Sequence, residues 1–142
     1  MDATVDRSRQ KPLHPVHAFL VSATVTLFLG ALLSDIAYAT SYQVQWTNFA
    51  SWLIAAGLLF GGILLVFALI GLRHADRREG RYLLYGLILL AIWLLGFINA
   101  LVHAKDAWAV MPEGLILSAI VLLLACGAAW MALSNLRMGD AP

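Results

Sequence analysis

Apolar residues fall in four long stretches, and most charged residues lie in the gaps between them. The stretches run Val16–Ala39, Phe49–Leu72, Tyr82–Val102 and Gly114–Leu133. A helix needs about 20 apolar residues to cross a bilayer, and each stretch supplies them. The gaps Thr40–Asn48, Arg73–Arg81 and His103–Glu113 are short. Short connections make consecutive helices antiparallel and leave no room for a soluble domain. Every backbone N–H and C=O must be paired inside lipid, so the spans are helical. The pattern predicts an all-α integral membrane protein, an antiparallel four-transmembrane-helix bundle. The membrane domain covers residues 16–134. Residues 1–15 form a polar lead, expected to be largely disordered and cytoplasmic, and residues 135–142 a cytoplasmic tail.

Polar residues inside the stretches are periodic. Asn99, His103 and Asp106 stand at i, i+4 and i+7, one face of a helix. In the first stretch His14, His17, Thr24 and Asp35 fall on one row with Val21, Phe28 and Ala31. Helix 2 carries Gly57 and Gly61, a small-xxx-small pair that admits a close neighbour inside the bundle. Gly114, Ser118 and Gly127 offer the same in helix 4. Trp93 reads as a packing or lipid-facing aromatic, and Pro112-Glu113 as a helix start with an acid in its first turn.

Composition excludes a soluble fold. Of the 142 residues 62% are hydrophobic and 12% charged, with a mean hydropathy of +0.85. A soluble domain of this length has too little interior to hide that surface. Eight of the nine Lys and Arg residues lie before helix 1, between helices 2 and 3, or after helix 4, and only Lys105 lies on the other side. The positive-inside rule then puts both termini and the middle loop in the cytoplasm, as expected for a multi-pass inner-membrane protein. Tyr38, Tyr42, Trp46 and Trp108 mark the outer interface, and Tyr82 and Tyr85 the inner one. Ala37-Tyr38-Ala39 resembles a signal-peptide cleavage site. The length of the run before it, and its His17, Ser22, Thr24, Thr26 and Asp35, argue for a retained helix.

In this topology the polar candidates form two groups. Asp35, Asn99, His103, Asp106 and Glu113 share the outer end. Ionisable residues at membrane depth are costly, so they invite a functional reading. An Asp–His pair facing an outer cavity would hold a proton, a cation or a polar ligand. The alternative is structural: capping, helix–helix bonding and solvation at helix ends. His14, His17 and His74 share the inner end. Imidazoles on adjacent helices are the donor set of a b-type haem, although these stand at the membrane surface. His103 lies at the opposite end and belongs to no such set. The single cysteine, Cys126, forms no intrachain disulfide. No nucleophile elbow, phosphate loop, HExxH or paired CxxC occurs, so no catalytic residue is assigned and enzyme activity is not expected.

The order of motifs resembles a bacterial membrane-protein family catalogued as domain of unknown function 2231. The resemblance rests on His14-Pro15-Val16-His17, Asp35, Gly71, Asn99-Ala100-Leu101-Val102-His103, Asp106-Ala107-Trp108 and Pro112 to Ala119. It covers Leu13 to Met131. Ala132-Leu133 stands where relatives carry a glycine pair. The resemblance implies four membrane helices and points to His14, His17, Asp35, Asn99, His103 and Asp106, and it implies no activity. Three functions remain open: a ligand- or ion-binding module using the outer group, a haem electron carrier, and a non-catalytic membrane subunit or scaffold. The expected partners are the lipid bilayer and a membrane protein or second copy, with no nucleic acid.

Overall fold

The computed structural model describes residues 14–74 and 80–137. Most of the lead, the tip of the Arg73–Arg81 connection and the end of the tail lie outside the described residues. Four helices account for nearly all the rest: α1 (Pro15–Ser41), α2 (Val44–His74), α3 (Gly80–His103) and α4 (Glu113–Arg137). All four are long and apolar enough to cross a membrane. Each packs beside two others, α1 and α3 both lying next to α2 and α4. The helices thus form a ring, with α1 facing α3 across its diagonal.

The α1–α2 connection is far shorter than the apolar pattern suggests. Only Tyr42 and Gln43 separate the helices. Tyr42 takes a left-handed conformation (φ 57°), and its N–H bonds the Tyr38 carbonyl at 2.8 Å, closing α1. Hydropathy marks hydrocarbon depth, whereas a helix continues through the interface wherever its N–H groups still find carbonyls. The α3–α4 connection is longer and holds a 3₁₀ turn over Ala107–Ala109. We call the end with these two connections the hairpin end, and the other the terminal end.

Buried positions repeat at alternating steps of three and four. In α2 they include Thr47, Ala50, Ile54, Gly57, Gly61 and Leu64, and in α4 Gly114, Ser118, Val121, Ala125, Ala128 and Ala132. This is the seam of a near-parallel bundle. Lipid tails are as apolar as leucine, so close packing rather than water exclusion holds such helices together. Phe28 shows how. Its fully buried ring enters a hole floored by Gly57 of α2 and Gly96 of α3, where an added Cβ would stand 3.0 Å and 3.3 Å from the ring tip. Gly57 therefore admits an aromatic ring, and Gly61 faces the Thr24 methyl. Trp93 packs its indole over Gly62 and stacks on Phe97 at 5.6 Å. Trp52, Leu123 and Trp130 face outward, as lipid contact requires.

Candidate functional site

Two turns above Phe28 toward the hairpin end, the core becomes polar. Asp35 of α1 is fully buried there, with Asn99 and His103 of α3 and Ser118 of α4. Each occupies a seam position of its helix, so the rows that build the core also aim these side chains inward. His103 Nε2 lies 2.8 Å from Asp35 Oδ1, across the bundle diagonal, and neither side chain has any exposed surface. Ser118 donates its hydroxyl to Asp35 Oδ2 at 2.5 Å, and Asn99 Nδ2 donates to Ser118 Oγ at 2.8 Å. His103 Nδ1 lies 3.0 Å from the backbone carbonyl of Asn99, one turn back.

These partners determine where the protons sit. A carbonyl oxygen only accepts, so His103 Nδ1 must carry hydrogen and donate. Two arrangements then satisfy the remaining contact. Nε2 donates to an Asp35 carboxylate, or it accepts from an Asp35 carboxylic acid. Each holds one proton between Nε2 and Oδ1, and each is neutral overall. Neutrality matters because an isolated buried charge is expensive while a hydrogen-bonded pair is tolerated. With that proton removed, an acceptor lone pair would face either the carboxylate or the carbonyl. Asn99 Oδ1 is left buried without a partner among the described residues.

The arrangement is not that of a hydrolytic triad. Ser118 gives its hydrogen to the carboxylate and makes no bond to the imidazole, so the serine–imidazole contact of a triad is missing. Room is also lacking. A Cβ added at Gly114 would stand 2.9 Å from His103 Cε1 and 2.6 Å from Val110 Cγ1. Val110 is itself fully buried. The segment 104–112 closes over the pair, held by the Tyr38 hydroxyl, which donates to the Ala107 carbonyl at 3.1 Å. Tyr38, expected at the interface, is thus buried, and Trp108 stacks on Tyr42 at 6.2 Å beside it.

Of the outer candidates, the structure brings Asp35, Asn99 and His103 together. Asp106 and Glu113 are exposed, at the start of the 3₁₀ turn and at the first residue of α4, apart from the sealed group. Of the inner candidates, His14 is exposed and its Nδ1 accepts from the Val16 N–H at 3.4 Å. His17 is half-buried, with its Nε2 3.2 Å from the Tyr85 hydroxyl. His74 ends α2 and its side chain lies outside the described residues. Among the described residues no cluster of three metal-ligating side chains occurs. Sequence reasoning missed Ser118, which it took for a small packing residue. The available signal was its place on the seam, seven residues from Ala125 and level with an unpaired Asn and Asp.

The family model described as "Predicted membrane protein (DUF2231)" matches residues 13–133. No curated protein and no solved structure matches the chain.

Proposed function

The chain belongs to the DUF2231 family of predicted membrane proteins, and we propose that it is a proton-binding membrane module centred on Asp35 and His103. The 2.8 Å contact between two ionisable side chains with no exposed surface carries this reading. A site without room for a molecule or a hydrated ion still has room for a proton, and the bond from His103 to the Asn99 carbonyl makes the pair hold one. In this reading Asp35 and His103 share the proton, and Ser118 and Asn99 position the carboxylate. The site sits at the hairpin end, which carries one basic residue where the terminal end carries eight. Both termini then face the cytoplasm of a bacterial inner membrane.

The same geometry supports a second reading, a structural clamp. The network ties α1, α3 and α4 with bonds that no lipid or water competes for. Infrared difference spectroscopy of the protein in lipid bilayers, stepped through pH, separates the two. A proton site gives a carboxyl and imidazole signal that disappears in both Asp35→Asn and His103→Gln. A clamp gives identical difference spectra for all three proteins over the range in which they stay folded.

A further inference from the structure

A hydroxyl in a membrane helix commonly bonds its own backbone, since lipid offers no other partner. Thr24, Thr26, Ser34, Thr40 and Ser51 do this, each giving its hydrogen to the carbonyl four residues back. Thr47 does not. It is 4% exposed, and its hydroxyl has no hydrogen-bond partner among the described residues. Its place in the chain explains the difference. Four residues behind it is Gln43, which lies in the α1–α2 turn rather than in a helix, and whose carbonyl takes the Trp46 N–H at 3.0 Å.

The packing of α1 on α2 says what Thr47 stands beside. Phe28 meets Gly57 and Thr24 meets Gly61, so each step along α1 is matched by an equal step back along α2. Continued toward the hairpin end, that register sets Asp35 level with Ala50 and Tyr38 level with Thr47. All four are buried. Tyr38 donates its hydrogen to the Ala107 carbonyl, which leaves its phenol oxygen able to accept. Two buried hydroxyls therefore share one level of the core, about one turn beyond the Asp35–His103 pair, and they do not bond each other. Buried polar groups that lack a direct partner are the usual hosts of an ordered water, which bridges them at little loss.

We propose that this level binds one ordered water molecule between Thr47 and Tyr38, and that the Asp35–His103 pair exchanges its proton with the hairpin-end surface through it. The water site stands on the two hydroxyls; its role in exchange rests on the proton reading. The exchange is a swap, in which water gives one proton and takes one back, so the pair stays neutral. The core offers no such group on the other side. Toward the terminal end stand Phe28, Ile54, Ile92, Gly96 and Val121, and the Thr24 hydroxyl there is given to the Leu20 carbonyl at 2.8 Å. Asn99 Oδ1 is the other buried atom without a partner, but it lies one turn to the terminal side of His103, and the Ser118 hydroxyl beside it is committed to Asp35. Toward the hairpin end, Tyr38 and Thr47 stand between the pair and Ser41, Tyr42 and Gln43, which are exposed.

Solid-state NMR of the deuterated protein in lipid bilayers, with magnetisation transferred from water, reads the site. Val110 controls for depth, because it is fully buried at the same end and has no polar side-chain atom. Thr47 should receive water magnetisation severalfold faster than Val110, and Tyr38→Phe should remove most of that advantage. Transfer to Thr47 no faster than to Val110 in the unaltered protein overturns the water site and leaves the proton reading standing. The role in exchange is read at His103 Nε2 after transfer into heavy water. Thr47→Val keeps the shape and drops the hydroxyl, so it should slow replacement of the shared proton by deuterium severalfold. Thr47→Ser should match the unaltered protein. Equal rates in all three overturn the exchange role, and if Thr47→Val does not fold, Tyr38→Phe decides by the same comparison. The proton reading fails on a different result, the missing carboxyl and imidazole signal, so the two failures are told apart.

Discussion

Asp35 carries more of this molecule than any other side chain. Its two oxygens bond an imidazole on α3 and a hydroxyl on α4, and it has no water to fall back on. Asp35→Ala leaves His103 Nε2 buried without its partner, and breaking such a pair costs about 3–5 kcal/mol. Chemical denaturation in detergent should register a loss of that size. Ser118→Ala removes one donor to Asp35 and the acceptor of Asn99 Nδ2. Its expected cost is about 1–3 kcal/mol, the desolvation penalty of groups left unpaired. The double variant Asp35→Ala/Ser118→Ala should cost less than the sum, because the residues share one network. Nitrogen NMR of labelled His103 is the sharper check. Nδ1 should remain protonated at every pH where the protein is folded, since the Asn99 carbonyl accepts from it.

At the scale of the helix, small residues divide into those that face a neighbour and those that face lipid. Gly57 and Gly96 form the hole for Phe28, so Gly57→Ala overpacks the ring and is expected to destabilise by about 1–3 kcal/mol. Phe28→Ala empties the hole instead and should cost about 3–5 kcal/mol. Gly127, on the same helix as Ser118, has nothing within 4 Å of an added Cβ. Gly127→Ala should be neutral or stabilising by up to about 1 kcal/mol, from helix propensity alone. Unfolding curves for the three variants test whether contact or composition sets the effect. Sequence alone ranks these glycines alike, because helix rotation is what separates them.

For the whole molecule, the proposed orientation rests on the Lys and Arg asymmetry of the sequence, which puts both termini in the cytoplasm. In a Cys126→Ser background, Lys105→Cys should react with a membrane-impermeant maleimide added outside intact cells. Arg73→Cys, at the terminal end, should react only after the membrane is opened. The reverse pattern would invert the topology and place the buried pair near the cytoplasm. Either way the bundle stays closed around Asp35 and His103, because the seal comes from Val110, Gly114 and Phe28 rather than from orientation.

The number of spans, their antiparallel order and the all-helical class were legible in the sequence. Hydrocarbon demands long apolar runs with every backbone group paired, and only a helix meets that demand within one segment. The rows Val21–Thr24–Phe28–Ala31–Asp35 and Asn99–His103 were legible too, because periodicity assigns residues to a face. Three things required the tertiary structure. Helix rotation decided that Asp35 meets His103, and the end of α3 at His103 left Asp106 in the connection, outside with Glu113 at the first residue of α4. Packing decided that Ser118 completes the network and that Val110 closes it. The α1–α2 turn shrank to two residues because helix length follows hydrogen bonding rather than hydropathy. Periodicity states which residues share a face of one helix. Only the packing of four helices states which faces meet.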